Sequence, residues 1–596
     1  MKMIVIVILV GLLISFIITA FSFNFYFNKD RFSDSLNIYY ISNDGNDSND
    51  GLSQATPWKT ISKVNSMIDL IGYGDDLYFR RGDKFTDTPL NIKIGGNSSD
   101  PMVIGAYGKG SKPIISNISG GIECASPNLK NVEIRDLRIE VSLFGIRFRQ
   151  NNISDIAIIN VEIDNCSNNG IILSQIDRYL IDNCTISNCS NSGIVILGSL
   201  NYPISNGLIR TSSVFNINQN DGITLHKDGS NNDIGSNHII KGCVIWNCNE
   251  QAFDITSGEN IYLKDCEGYN NGISTLVLGH NVRNVTIDNL FSHDERYMGV
   301  VITNAQNVII RSSILSGSDY YIFNMYGQNK SDISENLKFY NNDVIFTNTT
   351  HEVTLAFYIN DLNFKNNIFT STGDFYPTRF FKITQGGNLS NRNISFNNNI
   401  WWRGDGGVED DTWWYIDNPP IKINFTEWNR IDEVKNDLKI DPKMVVSNNI
   451  TDAYKLMEGS PAIDNGSFHT KTIGSGSGSK IMVRDACYFC DGLGLIDGDK
   501  IIIGADSKVK IVDIDYNQNI IEVNKSISWD DGDNVSLLYY GSSPDIGAFE
   551  FTPDTSKFLK SDISNLFNLF FMTLFCFGLF TKKLYIGLTR KLALGR

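Results

Sequence analysis

Cysteine is scarce, with ten residues among 596, too few for a disulfide-built scaffold. Proline (13) and glycine (50) are also sparse, which excludes collagen-like and linker-like chains. Basic residues are outnumbered: 51 lysines and arginines against 66 aspartates and glutamates leave a formal charge of −15. A nucleic-acid binder usually carries a basic patch or stripe, and this balance argues against one. Long apolar runs are missing except at the two ends. What is present is ordinary globular material, 42% hydrophobic and 20% charged, so the chain is not disordered. At roughly 150 residues per domain the length alone suggests about four domains.

The two ends read as membrane signals. Residues 4–20 are almost purely apolar and follow Lys2. Residues 1–27 form either a cleaved signal peptide, with a small-x-small step at Ala20 and Ser22, or a signal anchor. Residues 563–580 form an uncharged apolar stretch, close to the ~20 residues that span a bilayer. Lys582, Lys583, Arg590, Lys591 and Arg596 follow in a basic tail, 581–596. Positive charge after a span holds that side in the cytoplasm. The expected arrangement is a cell-surface protein, membrane-anchored, with its bulk outside the cytoplasm.

The middle is a repeat. VEIDNCSNNGIIL from Val161, CTISNCSNSGIVIL from Cys184, SSVFNINQNDGITL from Ser212 and CVIWNCNEQAFDI from Cys243 stack on one another, with a looser copy from Cys266. Asn165, Asn188, Asn216, Asn247 and Asn270 share one column. Cys166, Cys189 and Cys248 share the next, and Cys184, Cys243 and Cys266 an earlier one. Short strands at this period mean a solenoid whose neighbouring coils bury each other. No 3.6-residue periodicity separates the strands, which excludes βαβ units and leucine-rich horseshoes. Asparagines stacked at turns can hydrogen-bond from coil to coil. Stacked cysteines are expected to be small buried apolar residues. The fold class is all-β, a single-stranded parallel β-helix, with coils over 116–400 and a loop-rich end over 401–470.

A solenoid needs its ends covered. Residues 38–115 are expected to be the N-terminal cap, with a short amphipathic helix from Trp58 to Met67. The loop Asp44 to Gly51 is read as a turn rather than a cation loop. The tryptophan pairs 401–402 and 413–414 are expected to close a core. Residues 471–543 alternate as strands with tight turns and form a small β-rich insertion. Cys487 and Cys490 within it are read as a disulfide or a structural pair. The block YYISNDGNDSNDGLSQATPWKTISKVN, with GDDLYFRRGDKF and PMVIGAYGKGSKPIIS after it, closely resembles the start of pectate-lyase-like right-handed parallel β-helix proteins. GSPAIDNG (Gly459 to Gly466) and PDIGAFEF (Pro544 to Phe551, in the segment 544–552) resemble the closing motif of exported β-helix proteins. The resemblance implies a right-handed helix and an acidic extracellular polysaccharide as partner.

Strand residues alternate in and out. Stacking the strands puts Arg147, Ile172, Val195, Thr224, Asp254, Val277 and Val301 in one outward row. Arg149, Ser174, Leu197, His226, Thr256, Gly279 and Thr303 form a second. Acids and a histidine meet where Thr224, His226, Asp254 and Thr256 lie, with Asp221 and Glu250 in the preceding turns. Carboxylates with a histidine in one groove suit acid–base chemistry on sugars. The candidates are His226, Asp254, Asp221 and Lys227 for catalysis, and Arg147, Arg149, Thr224 and Thr256 for substrate. Glu250 and Asp254 are candidates for a Ca²⁺ ion. The loop from Lys227 to Asn237, with Asp228, Asp233 and His238, is expected beside them. In family-nine pectate lyases, which the chain resembles, a run of carboxylates holds calcium and a lysine one coil later abstracts the sugar proton. The run from Glu250 to Asp254 keeps its first and last carboxylates, but the lysine position is Val277. The polygalacturonase pattern is echoed only in Asn218 to Gly222 and Gly279-His280-Asn281. Two functions follow: a surface-tethered lyase-like or hydrolase-like protein, or a non-catalytic glycan-binding surface protein.

Overall fold

The computed structural model describes residues 36–552, apart from 199–203, 228–234, 281, 329–331, 347–351, 357, 372–379, 385–391, 405–413, 417–420, 446–452 and 506. The apolar stretches 4–20 and 563–580 lie outside the described residues. Among the described residues no helix is long and apolar enough to cross a membrane.

The asparagine column sets the corner of each coil. Asn165, Asn188, Asn216, Asn247 and Asn270 are all left-handed, with φ between 54° and 58°. Asparagine visits this region more readily than other L-residues because its short amide can bond locally. The amides then link the coils. Asn216 Nδ2 donates to Asn188 Oδ1 at 3.1 Å, Asn247 Nδ2 donates to Asn216 Oδ1 at 3.2 Å, and Asn270 Nδ2 donates to Asn247 Oδ1. A second ladder runs through Asn206, Asn237, Asn260, Asn284, Asn307 and Asn336 at 2.7–3.2 Å.

Between these corners each coil gives one short strand to each of three sheets. Sheet A has fifteen strands, from Ile38–Ile41 to Val434–Lys435; sheet B has fourteen, from Lys84–Phe85 to Leu438–Lys439, and sheet C fourteen, from Leu90–Ile92 to Ile421–Ile423. Pairing is parallel throughout, except where Trp414–Ile416 meets Ile421–Ile423 in the last coil of sheet C. The expected all-β parallel β-helix is the fold found. Its inside is a set of stacked rows. In sheet A, Ile158, Ile181, Ile209, Ile240, Leu263, Ile287 and Ile310 lie in register and are buried, and the row continues as Phe339, Phe364 and Phe396. Trp401, Trp414 and Trp428 then fill the C-terminal end, with Trp414 and Trp428 stacked at 4.3 Å. A buried amide ladder finishes the interior. Asn342, Asn367 and Asn399 each donate to the next coil at 2.9–3.1 Å, the last to Asp437. Asp437 also accepts from the indole N–H groups of Trp401 (2.8 Å) and Trp428 (3.2 Å). The ladder cysteines 166, 184, 189, 243, 248 and 266 are free and buried, while Cys487 is free and half-buried and Cys490 free and buried. The CxxC therefore forms no disulfide.

At the N-terminal end, Trp58 is buried and stacks on Tyr39 at 4.7 Å. The helix runs Ile61–Met67 rather than from Trp58, because Thr60 is its N-cap and accepts from Lys63 N. Trp58 is instead extended, bridging to Ile41. The Asp44–Gly51 loop satisfies itself and the cap: Asp47 accepts from the backbone N–H groups of Lys59 and Thr60.

Residues 470–537 form a six-stranded antiparallel sheet with its own core, packed on the outside of sheet A against Ile309 and Tyr340. Arg311, on sheet A, is 1% exposed. It donates to Asp499 at 2.6 and 2.7 Å and to Asp288 at 3.0 Å. The segments around Ala462 and Ile546 pack outside sheet B on Ile368 and Ile400. Asn341 Nδ2 donates to Asp545 O, and Asp343 Oδ1 accepts from Ala548 N.

Coil length varies at the two corners that flank sheet C. Ile255 leads to Glu259 and Leu278 to Arg283, but Gly198 leads to Ser205, Lys227 to Ser236 and Tyr326 to Ser334. These three run from sheet C to sheet A, and the connections from Ser371 to Phe381 and from Trp402 to Trp414, which run from sheet B to sheet C, are long as well.

Two stability outcomes follow. Asn216→Ala removes two inter-coil hydrogen bonds and puts alanine at φ 56°, so it should destabilise by about 2–3 kcal/mol. Asn216→Gly should cost only about 1 kcal/mol, since glycine accepts the left-handed backbone. Urea unfolding of both variants tests the difference. Arg311→Ala leaves Asp288 and Asp499 buried without a cation and should cost about 3–5 kcal/mol. Limited proteolysis should then cut first within 470–537.

Candidate functional site

Pairing on sheet C fixes which side chains share the groove. Arg147, Ile172, Val195, Thr224, Asp254, Val277, Val301 and Asn324 lie in one outward row. His226 stands opposite Leu197 in the second row. Thr256 N bonds Leu225 O, which places Thr256 as the next member of that row.

Asp221 lies in the turn entering the strand Ile223–Lys227 and is buried. Its Oδ1 accepts from Gln251 N of the next coil at 3.0 Å, and its Oδ2 from Thr224 Oγ1 at 3.3 Å. Burial pushes this carboxyl up to about 7, and the charges of Asp254 and Glu250 add to the rise. The bond from Gln251 N and the His226 charge oppose it. Asp254, one coil on, is also buried, and its Oδ2 hydrogen-bonds His226 Nε2. His226 is more open, with 39% of its side chain exposed. Asp221, Thr224, His226 and Asp254 are thus brought together, with Thr256 and Glu250 at the margin. The constellation couples a carboxyl that keeps its proton near neutrality with a second carboxyl that faces an imidazole. A carboxyl that holds its proton and a neighbouring carboxyl that faces an imidazole can divide the donor and acceptor roles of a proton transfer.

Other expected members stand elsewhere. Arg147 is three coils from Thr224 along its row, roughly 14 Å at ~4.8 Å per strand. It bonds Glu123 at 2.9 Å and lies 3.9 Å over the Phe144 ring. Arg149 is exposed on the same coil as Arg147. Lys227 ends its strand opposite Gly198, while Asp228 and Asp233 lie outside the described residues. His238 is not in the groove. It points into the solenoid, where its Nδ1 bonds Tyr179 Oη at 3.0 Å and burial pulls it down to about 4. Gly207, between Tyr179 and His238 in register, leaves room for both rings.

The carboxylates do not gather as calcium ligands. Ca²⁺ takes six to eight oxygens, but Asp254 holds one oxygen against His226 and Asp221 is turned to Gln251 and Thr224. Among the described residues no three acidic, histidine or cysteine side chains converge on one point.

Two groove residues were not read from the sequence. The turn column containing Glu250 continues as Ile273, Tyr297 and Tyr320, as the pairing of the following strands requires. Tyr297 and Tyr320 are 43% and 42% exposed. Following the turn column of Asp221 and Glu250 along the later coils would have found them.

Residues 39–289, under half of the chain, match the family model described as Pel9A-like, right-handed β-helix region. Lacto-N-biosidase of Bifidobacterium longum subsp. longum is 40% identical over 83 residues, 13% of this chain. Those residues span 5% of that curated relative's length. Among solved structures, a GH136 lacto-N-biosidase from Eubacterium ramulus is 12% identical, with 68% of this chain and 67% of that one covered, at a TM-score of 0.35. Pectate lyase Pel9A is 13% identical, with 87% and 97% covered and a TM-score of 0.36. Residues 39–289 thus match a Pel9A-like right-handed β-helix region, and the chain resembles the carbohydrate-active, pectate-lyase-like β-helix proteins.

Proposed function

We propose that the protein is a surface-tethered enzyme that hydrolyses a glycosidic bond in an extracellular polysaccharide. One observation carries this reading: Asp221 is pushed up to about 7 beside Asp254, which faces His226. Asp221 is the proton donor to the leaving sugar oxygen. Asp254 and His226 take the proton from water, and Thr224 holds Asp221 in place. This is the two-carboxyl logic of glycoside hydrolysis. β-Elimination by the family-nine scheme has less support, because Val277 stands where its lysine would be, next to Asp254 in register. The stretch shared with a lacto-N-biosidase agrees with a hydrolase. Tethering is supported by the apolar stretch 563–580 and the basic residues after it. A non-catalytic glycan-binding protein is the second reading, favoured by the same Val277.

Reducing-end release from a panel of neutral and acidic polysaccharides, with absorbance at 235 nm for unsaturated uronates and with or without Ca²⁺, separates the three outcomes. Hydrolysis should release reducing ends without the 235-nm signal. Unsaturated products would replace the hydrolase by a lyase, and binding without product would favour the second reading. Asp221→Asn should lower kcat by about 10²–10⁴-fold, the range for a lost general acid. Its pKa is raised, so the donor is protonated below about 7 and activity should fall as pH rises through that value. Folding stability should likewise decline from about pH 4 to about pH 7, because the unfolded chain gives up this proton first. Asp221→Asn should flatten that slope. A pH–rate profile unchanged by the substitution would remove Asp221 from the mechanism.

A further inference from the structure

We infer that an uncharged pyranose unit is bound between Glu250 and Tyr297, stacked on the outer face of Tyr297 beside the Asp221–Asp254 centre. The inference rests on the catalytic reading only for the direction in which the glycan runs.

Tyr297 stands two coils from Glu250 in the same turn column, about 10 Å at ~4.8 Å per strand. Its ring stacks on Tyr320, one coil further from the acids, with centroids 5.0 Å apart and planes at 27°. The partner covers one face of Tyr297. The other face lies on the side of Ile273 and, one coil beyond it, Glu250, and the residue is 43% exposed. Tyr320 is buttressed edge-on by Tyr321 at 4.6 Å, so the platform is braced from behind. The span between Glu250 and Tyr297 holds a single coil, whose turn residue is the half-buried Ile273.

The floor beside this span is low and apolar. Val277 and Val301 follow Asp254 in the first row. In the second row Gly279 has no side chain, and a Cβ there would meet Thr303 Cγ2 at 3.2 Å and Thr256 Cγ2 at 3.6 Å. The dip is therefore a property of glycine at that position. A flat apolar ring face pairs with the C–H face of a pyranose, while polar groups at the margins orient it. Glu250 supplies an acceptor for sugar hydroxyls. A carboxylate on the sugar would face Glu250 and Asp254 across a floor with no cation in Val277, Gly279, Val301 or Thr303. Arg296 is exposed next to Tyr297, so a uronate must be tested directly.

The test is affinity electrophoresis of the full chain carrying Asp221→Asn, in gels containing xyloglucan, galactan or polygalacturonate. At least one neutral polymer should retard it more than polygalacturonate does. Adding Tyr297→Ala should weaken that retardation at least tenfold, and Tyr297→Phe should keep it within about twofold, since the ring and not the hydroxyl makes the contact. Equal retardation with Tyr297→Ala overturns the inference, as does stronger retardation by polygalacturonate or none by any neutral polymer. The readout is binding in a background without the proton donor, so loss of the hydrolase reading leaves it intact, and its own failure leaves the hydrolase reading intact.

Discussion

Everything in this molecule depends on each coil closing in the same register as the last. Parallel strands one coil apart can stack their side chains in rows only if the bend where each sheet B strand turns toward sheet C repeats without error. A left-handed residue at each corner turns the chain, and an amide at that residue ties the corner to its neighbours. Asparagine does both, because it tolerates positive φ and carries a donor and an acceptor. Glycine would turn the corner without linking it, and alanine would do neither. The buried Asn342–Asn367–Asn399 ladder solves the same problem inside, where an unpaired amide would be costly. Its last acceptor, Asp437, also takes two indole N–H groups, so the polar ladder and the aromatic plug end on one carboxyl.

Register also makes the candidate site. Asp221 and Asp254 belong to different coils, and they meet because strand pairing puts Thr224 beside Asp254. The raised affinity of Asp221 for its proton comes first from its burial between coils, and the charge of Asp254 on the next coil adds to it. The insertion uses another face. It docks on sheet A through the buried Arg311 ion pairs and leaves sheet C to the groove.

The outward rows and the corner column were legible in the sequence because a repeat displays its own alignment. Asp254 opposite Val277 could be read by counting, and so could the buried cysteines. What escaped depends on neighbours that lie far apart in sequence or on direction within a strand. His238 looked like part of a polar loop, yet it faces inward because Gly207 opens space next to Tyr179 in the coil before. Arg147 looked like a sugar-binding cation, but Glu123 is one coil away and takes it. The Arg311–Asp499 contact joins residues 188 apart, with no periodicity to announce it. Tyr297 and Tyr320 were missed because the turn column was read only at its acids, Asp221 and Glu250, and not followed along the later coils.

The unequal spacing of the repeat has a consequence for how such proteins diversify. Extra residues enter where the chain comes into or leaves sheet C, while from Arg135 onward the corner from sheet A to sheet B keeps one length. One edge of each of these coils is thus closed to insertion and the two beside sheet C are open to it. The open edges border the groove. Lengthening a connection there changes the wall around a bound glycan without shifting a strand, so new specificities can be acquired coil by coil while the stack of amides goes on propagating the same pitch.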